Sequence, residues 1–332
     1  MLLSLDYELF FGANPGTVEK CLIEPTDRLV AVLERYGMKL SLFVDAGFLL
    51  KLREATAEWP RLQPQWDLVR SQLGSLSREG HDIQLHIHPH WEDSFFDGDG
   101  WVVKTERYRL HDFSVQQMRS IVRRYKSILE EVSGRPVFAY RAGGWCIQPF
   151  AEIQQALAEN DVWLDSTVFD KGVSEDPVRW FDFSRLPAKP LWRFSSDPVF
   201  EDVSGCFVEV PISSFPLSPL FYWKMALRKK LSSRQFTPFG DGAAMQANAG
   251  YYLSRLTKTV PSPVSIDGIK AEVLGKAYSR HRKNMPSAIF NVMGHPKSLT
   301  PYSLTSLNSF LEGHPELSAV TFQDLIYLRP AA

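Results

Sequence analysis

Four of the chain's eight histidines fall within ten residues, in the segment Gly80-His81-Asp82-Ile83-Gln84-Leu85-His86-Ile87-His88-Pro89-His90-Trp91. Imidazole is a favoured ligand of borderline divalent metals, so this density points to a metal site rather than to scattered core histidines. The pairing stays open at this stage. His86 and His90 meet on one face if the chain turns helical, His86 and His88 if it stays extended, and Pro89 permits either. Two neutral imidazoles leave room for a third ligand, which catalytic sites of the zinc type often take from a carboxylate. Asp6-Tyr7-Glu8 offers two carboxylates at i and i+2, projecting the same way from a strand end, so one could bind metal while the other serves as base.

Three further segments carry candidate chemistry. In Tyr140-Arg141-Ala142-Gly143-Gly144-Trp145, Arg141 can hold a carboxylate through a bidentate pair, and the Gly143–Gly144 backbone can bring N–H groups close to a substrate or an oxyanion. Asp165, in Leu164-Asp165-Ser166-Thr167, could orient a histidine. His295 follows an apolar run and precedes Pro296; facing a metal across a barrel mouth it would be a general acid.

These residues share a placement. Short apolar, β-branched runs alternate with helix-length segments, which is the pattern of βα units around a parallel sheet. Strands are predicted over 2–5, 39–44, 82–85, 136–140, 162–164, 207–210, 288–292 and 319–322. Helices are predicted over 26–36, 114–132 and 149–159, with others ending at Gly80 and lying between the last two strands. The fold class is therefore α/β: a single (β/α)7-8 barrel, complete or incomplete, in which chemistry gathers at the C-terminal ends of strands. Asp6, His86, Arg141, Asp165 and His295 all fall at or just past such ends. The 332 residues are read as one barrel domain, 1–332, carrying a surface excursion over 91–112 and a long insertion over 213–267.

Composition is that of a globular protein, with 44% apolar residues, 23% charged residues and a formal charge of −1, so disordered and coiled-coil classes are excluded. The near-neutral balance argues against a nucleic-acid partner. No apolar run is long enough for a membrane span, and the N-terminus has no signal-peptide pattern. The three cysteines form no CxxC pair, which predicts a reducing, cytoplasmic setting. No phosphate loop, dinucleotide fingerprint or serine elbow is present.

In this order the segments resemble the NodB-type polysaccharide deacetylase family, carbohydrate esterase family 4. Its Thr-Phe-Asp-Asp-Gly motif is matched by Ser4-Leu5-Asp6-Tyr7-Glu8, and its histidine pair by Gly80-His81-Asp82-Ile83 followed by His86 and His90. Its arginine motif is matched by Arg141-Ala142-Gly143-Gly144-Trp145, its Asp-Ser segment by Asp165-Ser166-Thr167, and its last histidine by His295. The second aspartate of the first motif, the family's metal ligand, is replaced by Tyr7. The chain is similar in this to D-x-E members encoded in O-antigen and capsule clusters. Motif three lacks its proline.

The resemblance implies a distorted barrel with one divalent metal ion, zinc by expectation, held by Glu8, His86 and His90, with His88 as an extra candidate. It implies Asp6 as base steadied by Arg141, His295 as acid oriented by Asp165, and Trp91, Gly143, Gly144 and Trp145 as substrate-binding residues. The implied reaction removes an N-acetyl group from an amino sugar of a surface polysaccharide or its precursor. Hydrolysis of a small amide or ureide, and an inactive glycan-binding barrel, are the alternatives. The insertion, with Lys224, Arg228, Lys229, Lys230 and Arg234 beside Phe221, Tyr222 and Trp223, is either a packed flank or a lid or docking face. Such a face would suit an acidic glycan, a nucleotide- or lipid-diphosphate sugar, or an anionic membrane.

Overall fold

The computed structural model describes residues 1–332 apart from 231–233, 244–248, 287 and 331–332. Two stretches of the expected insertion therefore lie outside the described residues. The architecture is mixed α/β around an eight-stranded, mostly parallel sheet. Its strands are β1 (Leu2–Tyr7), β2 (Ser41–Asp45), β3 (Asp82–Ile87), β4 (Ala139–Ala142), β5 (Leu164–Asp165), β6 (Trp192–Phe194), β7 (Phe207–Glu209) and β8 (Asn291–Val292). They lie in the order β6-β7-β5-β4-β3-β2-β1-β8. Every residue of β1, β2 and β3 is buried, as parallel strands covered on both faces must be.

Helices α1 (Glu24–Glu34), α2 (Ala46–Ala55), α3 (Gln63–Arg78), α4 (Val115–Ser133) and α5 (Phe150–Ala158) connect the parallel strands. The longest, α4, shows why these boundaries hold. Ser114 accepts a hydrogen bond from the Gln117 N–H while the Gln117 side chain returns to the Ser114 N–H, and Gly134 ends the helix at φ 67°. Its buried face of Met118, Ile121, Val122, Tyr125, Ile128 and Leu129 follows the helical repeat.

The ladder does not close into a regular eight-fold barrel. The gap between β8 and β5 is spanned by single backbone bonds: Ser213 N–H to the Asn291 carbonyl and Ile212 N–H to the Val168 carbonyl, each 2.9 Å. Two strand expectations also need correcting. Trp192–Phe194 is an antiparallel edge strand, paired with β7, that the apolar pattern did not mark. The 319–322 run forms no strand. Val320 donates one bond to Met1, while the Phe322 N–H goes to Ser41 Oγ and the Gln323 N–H to Asp82 Oδ2. Those side-chain acceptors turn the chain into a 3-10 segment, Gln323–Leu328.

The long insertion has a definite shape. Ser214–Leu217 pairs antiparallel with Val260–Pro263, and between them lie α6 (Pro219–Lys230) and α7 (Ala249–Thr257). A two-stranded stalk thus carries a helical arm. The chain then forms α8 (Leu274–Asn284), which the sequence pattern did not reveal, and α9 (Pro301–Glu312).

Candidate metal centre

The strand alternation of β1 separates its last residues by face. Asp6 and Glu8 point one way, while the Tyr7 hydroxyl donates to Gln72 Oε1 on α3 at 2.8 Å, away from the carboxylates. Tyr7 is thus a packing residue, and its neighbours keep the carboxylate spacing.

On β3 the chain stays extended through His88 (φ −109°, ψ 92°), and the 3-10 turn Pro89–Glu92 begins only afterwards. His86 and His88 therefore share a face. Glu8, His86 and His88 place one ligand atom each within 4.8 Å of one another, all three buried. The Nε2 atoms of His86 and His88 converge on one oxygen, Glu8 Oε2, at 3.1 and 2.7 Å. His90 is not part of this group. The turn carries it onward, where its ring lies edge-on to Phe11 at 4.9 Å and parallel to Tyr108 at 6.0 Å, with neither nitrogen bonded to a described residue.

The donor set fits a divalent ion. His86 Nδ1 lies 2.8 Å from the Arg141 carbonyl, which can only accept, so the ring proton sits on Nδ1. Neutral His86 then aims its Nε2 lone pair at a carboxylate oxygen, an arrangement satisfied by a bound cation or by a second ring proton. A carbonyl holding the far nitrogen is the usual support of a ligating histidine. Burial disfavours the imidazolium, but Asp6, Glu8 and Asp45 outweigh it and raise His86 to about 8. Burial takes His88 down to about 4, so it is a neutral donor, and its Nδ1 has no partner among the described residues. Burial works against the Glu8 carboxylate, yet Lys297, His88 and His86 together hold it well below its ordinary value.

Two supports flank the cluster. Arg141, itself buried, donates from Nη1 to Asp6 Oδ1 at 2.7 Å, from Nε to the Ser166 carbonyl at 2.7 Å and from Nη2 to Ser4 Oγ at 2.9 Å. Opposite stands His295, whose Nε2 is 3.7 Å from both Asp6 Oδ2 and Glu8 Oε1. Asp267 grips it twice, accepting the backbone N–H and facing Nδ1, each at 2.8 Å. Burial opposes the charged ring, but Asp267, Asp6 and Glu8 overcome it and raise the pKa of His295.

The partner expected for His295 was Asp165. Instead Asp165 is buried on β5, bonding Thr167 Oγ1 at 2.7 Å and the Thr167 N–H at 3.0 Å. Trp91 also needs correcting as a substrate residue. It is fully buried, and its indole N–H donates to Asp45 Oδ2 at 2.6 Å. Gly143 and Gly144 form a turn directly beside the centre. A Cβ on Gly143 would lie 2.5 Å from His88 Cε1, and Gly144 (φ 61°) faces the Tyr108 hydroxyl. Trp145 is half-buried against Phe169 and Phe181.

Sequence reasoning missed four residues. Asp45 ends β2 and pairs in register with His86; burial pushes its carboxyl up to about 7. The strand-end rule, applied to the predicted strand 39–44, would have found it. Lys297 donates to Glu8 Oε1 at 2.9 Å and to the Leu9 carbonyl at 2.6 Å, beneath the rings of Phe10 and Phe11. Phe11 lies 4.2 Å from the His88 ring, and Asp267 reaches His295 from the far side of the insertion. Nothing local in the sequence marks these last three.

No protein-family model matches the chain, and no curated protein matches it. Among solved structures it is similar to a presumptive polysaccharide deacetylase from Mycobacterium smegmatis, at 16% identity over 98% of this chain and 90% of that one, with a TM-score of 0.49. It is also similar to Puue allantoinase, at 11% identity over 100% and 91% of the two chains, TM-score 0.49. A family 4 carbohydrate esterase from Streptomyces lividans matches 52% of this chain and 64% of its own at 15% identity, TM-score 0.27. The functional reading therefore rests on the geometry of the site.

Proposed function

We propose that the chain is a metal-dependent hydrolase that removes an N-acetyl or related N-acyl group from an amino sugar of a surface polysaccharide or its precursor. The observation that carries this is the convergence of Glu8, His86 and His88 between an Arg141-held carboxylate and an Asp267-held imidazole. What a bound divalent ion, zinc for preference, supplies there is Lewis acidity: a more acidic water and a polarised acyl carbonyl. Asp6 is placed to take the proton of the attacking water, and Arg141 keeps its carboxylate from turning away. His295, with its raised pKa, carries the proton needed by the leaving amine, and Asp267 fixes the ring so that Nε2 faces the reaction. The Gly143–Gly144 turn presents backbone beside His88, where N–H groups can receive the developing oxyanion. Trp145 would flank the sugar.

Elemental analysis after zinc loading and desalting tests the centre. One ion per chain in wild type, lost in Glu8→Gln and His88→Ala but kept in His90→Ala, is the expected result. Loss in His90→Ala with retention in His88→Ala would reassign the ligand. Absence of metal in folded wild type would remove the hydrolase mechanism in favour of a glycan-binding barrel. His295→Ala should then lower deacetylation by roughly 10²–10⁴-fold without removing the metal.

A second reading, hydrolysis of a small amide or ureide, is favoured by the enclosure of the centre. The ligands are all buried, Trp91 does not line a groove, and Phe11 lies over His88. Parallel assays on N-acetylglucosamine oligomers and on cyclic ureides separate the two.

A further inference from the structure

We propose that the helical arm of α6 and α7 is a docking face for an anionic lipid bilayer. The chain as a whole is close to neutral, yet residues 219–285 hold twelve Lys and Arg against three Asp and Glu. The remainder is correspondingly acidic, so positive charge is gathered in one continuous stretch of the chain.

The apolar side chains of the arm are divided in a way that core packing does not explain. Phe221 and Tyr222 on α6 are buried with Leu217 and Ile269, which seats the helix on the body. Leu220, Trp223 and Leu227 occupy a different face at i, i+3 and i+7, and are 77%, 58% and 59% exposed. The Trp223 indole N–H donates to the Leu256 carbonyl of α7, so the two helices are joined at this face. Tyr252 and Leu253, one turn before Leu256, are 54% and 63% exposed. A row of Leu, Trp and Tyr beside cations is the composition that settles into the headgroup boundary of a membrane.

Cations of the same stretch of chain accompany that row. Lys224 and Arg228 both reach Glu272, which ties α6 to the segment leading into α8. Lys276, Arg280 and Lys283 on α8, with Arg234 and Lys258, are exposed and have no carboxylate partner among the described residues. A polyanionic surface would supply it, and a zwitterionic one would not. No helix among the described residues is long and apolar enough to cross a membrane, so the contact would be peripheral. This inference stands independently of the reading of the metal centre.

The test is sedimentation of the full chain with vesicles of phosphatidylglycerol and phosphatidylcholine in equal parts, against phosphatidylcholine alone. Binding only to the anionic vesicles is expected, with affinity falling at least roughly tenfold as salt rises from low to high concentration. Leu220→Ser/Leu227→Ser should weaken it by roughly tenfold or more, and Lys276→Glu/Arg280→Glu/Lys283→Glu likewise, with circular dichroism and melting temperature as checks of folding. Absent binding, equal binding to both vesicles, or unchanged affinity in the folded variants would overturn the proposal. So would a concentration-dependent dimer abolished by the leucine substitutions, which would give the face to a second copy. Capture by an acidic polysaccharide with vesicles left unbound would overturn it too.

Discussion

Two groups of buried carboxylates stand at strand ends only a few strands apart, and they meet opposite fates. Asp6 and Glu8 at the end of β1 are each paired with a cation, Arg141 and Lys297. Asp165 on β5 and Glu209 on β7 face each other in register with no cation of their own. The nearest guanidinium, Arg141, spends its N–H groups on Asp6, Ser4 and Ser166. Burial therefore pushes Asp165 up and Glu209 well above its ordinary value; Asp165 raises Glu209 further, while Glu209 works against the rise at Asp165. Depth alone does not make a carboxylate an ionic ligand or base. A counter-charge delivered from another strand does.

The strongest way to break this comparison is Arg141→Met. It strands the Asp6 carboxylate in a buried position, and a loss of about 3–5 kcal/mol in urea unfolding is expected. A loss below about 1 kcal/mol would show that Asp6 does not depend on its partner. Lys297→Met should cost toward the lower end of the same range of about 3–5 kcal/mol, because His86 and His88 still face Glu8. Added divalent metal should restore the melting temperature of that variant more than it raises wild type, since it replaces the missing charge.

Glu209, which has no counter-cation, responds to pH in a direction that can be worked out. A carboxyl whose folded pKa is raised binds more protons in the native state than in the unfolded one. Its stabilising contribution is complete below the unfolded value of about 4.3 and is lost as pH rises toward the folded value. Glu209→Gln should remove that decline, so its stability relative to wild type should improve between pH 5 and pH 8 in denaturant titrations. A difference independent of pH would mean that Glu209 is already ionised. The smallest effect is expected for Asp165→Asn, within about 1.5 kcal/mol of wild type, because the amide keeps the shape of the side chain and an oxygen that can accept from the Thr167 N–H.

The same contrast explains which parts of the molecule were legible in the sequence. Apolar runs ending in Asp6, His86 and Arg141 mark strand ends because the alternation of buried strands and polar ends is a local signal. The fate of each polar residue is not local. Asp165 and Asp267 look alike as short acidic loop residues, and only closure of the sheet through 264–266 brings Asp267 to His295. Lys297 lies two residues past His295 with nothing to distinguish it from a surface lysine. Whether His88 or His90 lies beside His86 depends on where Pro89 ends the extended chain. The missing strand at 319–322 was decided by Ser41 and Asp82, hydrogen-bond acceptors 281 and 241 residues away. The arm on its antiparallel stalk was visible only as an unusual composition.

One feature of β4 reaches beyond the pairings it makes. The main-chain carbonyl of Arg141 holds the ring of His86, and the side chain of the same residue holds Asp6. A prospective ligand and a prospective base are therefore tied to one covalent unit instead of two elements that could drift apart. Breathing of neighbouring strands carries both attachments together, so the interval between the two groups is gauged within a single amino acid. An exchange of Arg141 for lysine would keep the charge yet replace a rigid fork with a flexible tether, and the gauge would be lost while the sheet stayed whole.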